Sequence, residues 1–373
     1  MSKLIYISMV CFDDENTINE GITKKIKGQI LSLTNYGIET DFVGRKKGKV
    51  CLWRSGETKE LFVSTGSGYK DFNRLAKVLI PMIESRIWDK VYVRYSGTGK
   101  NMLDLYRLCK KMKIEILLEV PTYPYKQEWM RSIKGMINYA ISDYFNKYLK
   151  KYVTSVVTFG KIKTIWGIPA ISIKNGIDMT NIPITQPNYV KNIRLVLLGN
   201  LIWWQGYDRL LEGLALYYQT TDIRRKVYVE IVGDGAELDN YRRIIKSNNL
   251  HDYVTFHGRK GGTDLDKVFS DVHVGVNSLG CHRKGLTELS TLKSKEFLAR
   301  GLPVIYSTKD NSLPEDLFFC KKIPEDESPV DIIEIISFYD EVIEYKGYSE
   351  KIRNFAERTI SWDIQIKEIL KNF

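Results

Sequence analysis

The sequence is poor in the residues that build metal centres and disulfide frameworks. Its five cysteines, Cys11, Cys51, Cys109, Cys281 and Cys320, are scattered and form no C-x-x-C pair. That pattern suits a reducing compartment and supports neither a disulfide-stapled fold nor a zinc site. Only four histidines occur, His251, His257, His273 and His282, and none is paired at i, i+4. A histidine-built metal site is therefore not expected. No stretch approaches the roughly 18 apolar residues that a membrane span needs. The opening "MSKLIYISMVCFDDEN" has a short apolar run ending in acids and lacks a small-residue cleavage site. It reads as a first β-strand, and the chain as cytoplasmic or at most peripheral on the inner face of a membrane.

What is present describes an ordinary globular chain: 43% hydrophobic and 27% charged residues, with 23 Tyr and 7 Trp. At 373 residues, two domains are the natural expectation. The net charge of +11 is unevenly placed. Residues 1–178 hold 30 Lys/Arg against 17 Asp/Glu, and residues 179–373 hold 26 against 28. The whole excess lies in the first half, which predicts an anionic partner there or a solubilising surface.

Along the chain, strand and helix signals alternate. Strands are predicted at 3–10, 38–44, 89–96 and 114–120, and helices at 21–37, 69–87 and 100–112. Pro81 should bend the second helix or start a new one. A long amphipathic segment follows from about 126 to 150, then two short strands. Residues 177–192 carry two prolines and no period, and read as a linker. A second βαβ series runs from 193 to 307, with helices filling most of the tail. Such alternation implies two doubly wound α/β domains, which bind ligands at the carboxyl ends of their strands. The boundaries expected are 1–180 and 190–354, with a last helix at about 355–373 packing back on the first domain.

The stretch "GLTELSTLKSKEFLARGLPVI" (285–305) sets Glu288 and Glu296 eight positions apart. On one helix they would lie about 12 Å apart along the axis. Carboxylates serving one glycosidic bond sit nearer, at about 5 to 9.5 Å. Two such groups suit the ends of an elongated ligand with vicinal hydroxyls, such as a nucleotide-sugar; alone, the spacing also suits two solvated helix residues.

Context adds a resemblance. The E-x7-E pair followed by "FLARGLPVI" resembles the signature of the retaining family 4 glycosyltransferases of the GT-B fold. So do "LVLLGNLIWWQGYDRLLEGL" (195–214), "VEIVGDGAELDNYRRI" and "VTFHGRKGGTDLDKVFSDVHVGVNSL", in the same order. The resemblance implies two Rossmann-like domains facing a central cleft, a nucleotide-sugar donor in the second domain, and retention without a metal or other cofactor. It implies Glu296 on the nucleotide ribose and Glu288 on the donor sugar, with Gly206 and Leu292 also on the donor side. Gly233 and Gly235 would let backbone approach the ligand, since glycine has no Cβ. UDP-sugars are the expected donors, and a glycan or lipid-linked sugar the expected acceptor. Asp264 and Asp266 form a D-x-D, but on a helix they point apart.

The chain also departs from that pattern. Where the family usually places Arg and Lys to neutralise the diphosphate, the matching positions are Asn200 and Gln205. Electrostatic stabilisation is often the largest single catalytic contribution, so other cations must substitute or activity is lost. The candidates are Arg283, Lys284, Lys293 and Lys260, with Arg283 and Lys293 favoured because they flank the glutamate motif; His282 is a further donor.

In the first half, Asp13 and Gly21 lie on the loop after the first strand and at the start of the next helix, where the family presents its acceptor side. Glu119 lies where members often carry a His or Asp near the reacting sugar. "SGTGKN" (96–101) does not satisfy G-x-x-x-x-G-K-[ST] and is no phosphate-binding loop. The segment 126–152 mixes Trp, Met, Ile and Tyr with six Lys/Arg, as expected either of an interfacial helix on anionic lipid or of a core helix with a basic outer face. No nucleic-acid module is recognisable. The alternatives to a transferase are an inactive nucleotide-sugar-binding partner subunit and an epimerase of the same fold.

Overall fold

The computed structural model describes residues 2–12, 20–130, 132–159, 162–185, 192–220, 223 and 225–372. The chain divides into two compact units, residues 1–176 with 362–373, and residues 177–361.

Unit 1 is built from β1 (Lys3–Cys11), α1 (Glu20–Asn35), β2 (Glu39–Lys46), β3 (Lys49–Arg54), β4 (Glu57–Val63), α2 (Gly68–Glu84), β5 (Lys90–Arg94), α3 (Lys100–Lys111), β6 (Glu115–Val120), α4 (Lys126–Trp129), α5 (Ile133–Asn146), β7 (Ser155–Thr158), β8 (Thr164–Ile165) and β9 (Ile168–Ser172). Its sheet runs β4-β3-β2-β1-β5-β6-β7-β9-β8. From β2 to β9 every pairing is parallel; β3, β4 and β8 add antiparallel edges. Side chains alternate across the pleat. Ile5 and Ile7 enter one core with α2 and α3, while Leu4 and Tyr6 enter another with α1.

Pro81 sits in the last turn of α2 and does not start a new helix there; α2 runs through it and ends three residues later. The β2–β3–β4 meander was not foreseen. Its turns, Lys47–Gly48 and Ser55–Gly56, all have positive φ, the backbone that a two-residue type I′ hairpin requires. The amphipathic segment expected at 126–150 is broken, with Ser132 capping α5 by accepting from Gly135 N.

Unit 2 contains β10 (Asn192–Asn200), α6 (Tyr207–Gln219), β11 (Lys226–Asp234), α7 (Leu238–Ser247), β12 (Val254–Gly258), α8 (Gly262–Phe269), β13 (Val274–Val276), β14 (Glu288–Leu289), α9 (Leu292–Ala299), β15 (Val304–Tyr306), β16 (Lys309–Asp310), β17 (Cys320–Lys322), α10 (Ile332–Ile343) and α11 (Tyr348–Thr359). The main sheet, β12-β11-β10-β13-β15-β17, is parallel throughout. Numbered from β10, that order is 3-2-1-4-5-6, the dinucleotide-binding arrangement, whose switch point lies between β10 and β13.

Two boundaries differ from those expected. The last helix, α12 (Trp362–Leu370), belongs to unit 1, where Trp362, Ile366 and Ile369 are buried against α1 and the sheet, whereas α11 belongs to unit 2. The supposed linker begins as part of unit 2. Arg353 donates to the carbonyls of Met179 and Ile182, and Thr185 N donates to Arg300 O. A strap held by its backbone needs no apolar period, which is why it reads as loop.

Candidate functional site

The carboxyl ends of β10 and β13 bring together most of the donor-side residues of unit 2. Past Asn200 a short 3₁₀ turn, Trp203–Gln205, carries the chain to Gly206 at the start of α6. Gly206 has φ +67°, and a Cβ there would lie 2.4 Å from Gly280 N. Only glycine allows the turns after β10 and β13 to meet this closely. Gly233 and Gly235 serve the same end. Their missing Cβ positions point at Gly199 O, 1.8 Å away, and Leu201 O, 2.2 Å away. The space that a Cβ would occupy at these two glycines holds the protein's own backbone.

At the centre stands Lys293, in the first turn of α9. Its aliphatic stem packs over Gly199. Its ammonium donates to Tyr207 OH at 3.0 Å, to Ser278 Oγ at 2.8 Å and to Gln205 Oε1. Ser278 Oγ itself donates to Gln205 Oε1 at 2.6 Å. All three acceptors are neutral. Burial pushes the Lys293 ammonium down to about 7, against smaller opposing influences of Cys281 and Asp310. Asp310, the nearby buried carboxylate, is engaged elsewhere: it accepts from Ser294 Oγ, Thr291 and Asn277. Lys293 is thus a half-buried cation whose hydrogen bonds are made but whose charge no contacting anion among the described residues balances, a costly arrangement for a protein to hold alone.

Arg283 behaves oppositely. Its guanidinium bridges Asp208, at 2.7 and 3.0 Å, and Glu327, and donates to Trp203 O. Hydrogen bonds to Glu327 and Asp208 hold it protonated well above its ordinary range. The expectation of Arg283 as a diphosphate cation meets two carboxylates that already pair with it. His282 also contacts Glu327, at 2.6 Å. Lys284 lies over the Trp204 ring, 4.8 Å from its centroid, and Lys260 is exposed.

The two glutamates do not share a helix, which corrects the 12 Å estimate. Glu288 opens the two-residue strand β14, paired with Lys309 of β16, and is exposed. Glu296 lies on α9 and accepts from Arg300 through Oε1 at 3.0 Å. Thr291 interrupts any helix between them by capping α9, accepting from Ser294 N. Leu292 is exposed at the helix start. The two aspartates of the D-x-D have separate partners, Asp264 with Lys267 and Asp266 with Arg300. Among the described residues no cluster of His, Cys, Asp and Glu is arranged to hold a metal.

In unit 1, Glu119 is fully buried at the end of β6. Arg94 and Lys25 form ion pairs with it, and Gln29 Nε2 and Tyr92 OH each donate to it at 2.8 Å. Burial alone would raise its pKa, but Lys25, Arg94 and the hydrogen bonds outweigh it and hold the carboxyl at about 2. An acceptor-side role for Glu119 is corrected on this ground: both oxygens are saturated by protein donors. Gly21 lies in the first turn of α1. Asp13 lies outside the described residues. A groove of about 410 Å³ opens beside α1, lined in part by Phe12, Phe42, Trp53 and Lys46.

Three residues around Lys293 were not singled out from sequence. Ser278 lies within the quoted "VHVGVNSL" stretch, but no spacing marks it out. Tyr207 and Asp310 carry no signal without the fold.

The comparisons place this geometry in a class. Solved structures sharing the fold over nearly the whole chain are glycosyltransferases, so the chain has the GT-B fold. One is a glycosyltransferase from Rickettsia africae (12% identity, 99% of this chain and 97% of that one, TM-score 0.64). Another is sucrose-phosphate synthase from Thermosynechococcus elongatus (12%, 100% and 98%, 0.57). A third is Anabaena HepE in complex with UDP and glucose (13%, 100% of both, 0.55). Within this fold, residues 178–315 match the family model described as glycosyl transferases group 1. No curated protein matches the chain in sequence.

Proposed function

We propose that this chain is a retaining glycosyltransferase that moves a sugar from a nucleotide-diphosphate donor, a UDP-sugar foremost, to an acceptor hydroxyl in surface-polysaccharide or glycoconjugate assembly. The observation that carries the reading is Lys293, a half-buried cation with no contacting anion among the described residues, at the switch point of a dinucleotide-binding sheet within the matched region. A diphosphate is the anion such a point charge suits. In the reaction, the bond from the anomeric carbon to the diphosphate oxygen breaks and one to the acceptor oxygen forms. The acceptor proton leaves with the departing nucleoside diphosphate. In this reading Lys293 stabilises the charge developing on that leaving group, Glu288 holds donor-sugar hydroxyls and Glu296 the ribose. No metal is needed, because the cation is supplied by the protein. HepE, with UDP and glucose bound, is an analogy in support of the donor class.

The test is thermal stabilisation by UDP, GDP, ADP, dTDP and CMP, on wild type, Glu296→Ala and Lys293→Met. A ligand at 100 times its Kd adds about 2.7 kcal/mol. The expected result is stabilisation by UDP that both variants lose. No response to any nucleotide would sink the reading. One observation favours a second reading: Asn200 and Gln205 are neutral, and Arg283 is consumed by Asp208 and Glu327. A nucleotide-sugar-binding partner subunit would show UDP stabilisation without turnover of any UDP-sugar.

A further inference from the structure

Helix α5 is amphipathic in the inverted sense. Its buried residues are Ser142 and Asn146. Asn146 Nδ2 donates to Tyr95 OH at 2.9 Å and to Tyr125 OH at 3.0 Å. Gly135 allows the helix to lie against the Trp129 carbonyl of α4, since a Cβ there would fall 2.0 Å from that oxygen. The helix is thus fastened by these polar contacts together with the partly buried rings of Tyr139 and Phe145, which pack against the core. Its outward face is apolar: Ile133 is 78% exposed, Ile137 55% and Tyr144 56%, with Met136, Ile141 and, just beyond the helix, Tyr148 also exposed. Steps of three, four, seven and eight residues place these side chains on one stripe. Seven of the twenty exposed large apolar residues among those described fall between Met130 and Tyr148, so this is a patch and not the usual scatter.

The stripe has a charged rim. At 100° per residue, Lys134 falls on one side of it and Lys147 on the other. Lys150 and Lys151 follow in the next turn, and all four are exposed. Across residues 126–152 there are six Lys/Arg and two acids, within the half of the chain that holds the whole positive excess. A protein partner could cover an apolar stripe, but apolar centre, tyrosines and a lysine rim together match an anionic bilayer. There the apolar face enters the headgroup region to a depth of about 5–10 Å while lysines meet lipid phosphates.

We infer that α5 and the turn after it dock unit 1 on an anionic lipid surface, through the Ile133–Tyr148 stripe and its flanking lysines. The helix is too short to cross a membrane; among the described residues no helix is long and apolar enough to do so. Docking here is peripheral and reversible, and it does not depend on which sugar is moved. It would present the enzyme to an acceptor carried on a lipid.

The experiment is cosedimentation of the full chain with vesicles of phosphatidylcholine alone and of phosphatidylcholine mixed with phosphatidylglycerol, at low and raised salt. Wild type should pellet with the anionic vesicles, weakly with the neutral ones, and less at raised salt. Lys134→Gln with Lys147→Gln should weaken pelleting by roughly fivefold per lysine. Ile137→Glu with Ile141→Glu should abolish it. Both are exposed positions, so melting temperature and UDP stabilisation serve as controls and should stay at the wild-type values. UDP stabilisation without vesicle binding overturns docking but leaves the transferase reading standing; vesicle binding without UDP stabilisation does the reverse. Docking is also overturned if pelleting survives Ile137→Glu/Ile141→Glu. A dimer in sedimentation velocity that those substitutions dissolve, without vesicle binding by wild type, would assign the stripe to a second copy of this chain.

Discussion

Each unit withdraws a charge from water near the carboxyl ends of its parallel strands, fully at Glu119 and partly at Lys293, and the two are solved differently. Glu119 in unit 1 meets two cations and two neutral donors. Lys293 in unit 2 meets three neutral oxygens and, among the described residues, no anion. A paired buried charge is complete; its neighbours already supply what water would have given. An unpaired one is held at a cost, which a bound ligand of opposite charge can offset. On the proposed reading, the contrast separates a position that serves architecture from one that awaits a ligand, although the resemblance marks both as site candidates.

The sharpest way to break this contrast is to neutralise each charge. Glu119→Gln leaves Lys25 and Arg94 facing each other without their anion, and should cost about 3–5 kcal/mol of stability. Chemical denaturation measures it. The same network gives a pH signature. The folded-state value of about 2 lies below that of an unfolded glutamate. Its contribution is therefore present above the unfolded value of about 4.3 and is lost as pH falls toward 2. Glu119→Gln should flatten that acid limb. If it melts like wild type, Glu119 is not the structural residue its contacts make it.

Lys293→Met should do the reverse: stability kept or raised, because a costly charge is gone, and turnover lowered by about 10²–10³-fold, the usual loss when one transition-state charge stabiliser is removed. Kinetics with the UDP-sugar and a thermal melt decide it. An active Lys293→Met enzyme would end the assignment. Intermediate in size is a pH effect with the same slope as that of Glu119 but in a higher window. With a folded value of about 7 against about 10.4 unfolded, the unfolded chain holds the extra proton between these limits. Stability without ligand should therefore rise with pH across that window. Donor affinity should fall across it, since the diphosphate binds the ammonium form. Lys293→Met should remove both slopes.

The fold was largely legible because alternating apolar runs and helical periods report burial on two faces of a parallel sheet. What escaped has a physical cause in each case. The β2–β3–β4 meander hid because its turns, Lys47–Gly48 and Ser55–Gly56, use positive φ at a Lys and a Ser as well as at glycine. The strap at 177–185 hid because backbone carbonyls hold it, through Arg353. At the site, the motif placed Glu288, Glu296, Asn200 and Gln205 in one unit. Spacing could not show that Thr291 stops the helix short of Glu288, nor that Gly233 faces Gly199 O. Choosing between Arg283 and Lys293 was beyond the sequence, because Asp208 and Glu327 lie 75 and 44 residues from Arg283.

The smallest effect tests that choice. Arg283→Ala removes a clamp between the start of α6 and the loop holding Glu327, and leaves both carboxylates without it. Glu327 is largely exposed, so water recovers part of the loss, and the cost should be about 1–2 kcal/mol. Donor affinity should move by less than about twofold once the folded fraction is accounted for, since the diphosphate meets Lys293 and not this guanidinium. A large loss of affinity with little loss of stability would restore Arg283 as a donor residue. It would mean that one of its two carboxylate partners releases it when the nucleotide arrives. Isothermal titration of Arg283→Ala beside Lys293→Met, with the same UDP-sugar, separates a clamp that only shapes the loop from a cation that the ligand takes over.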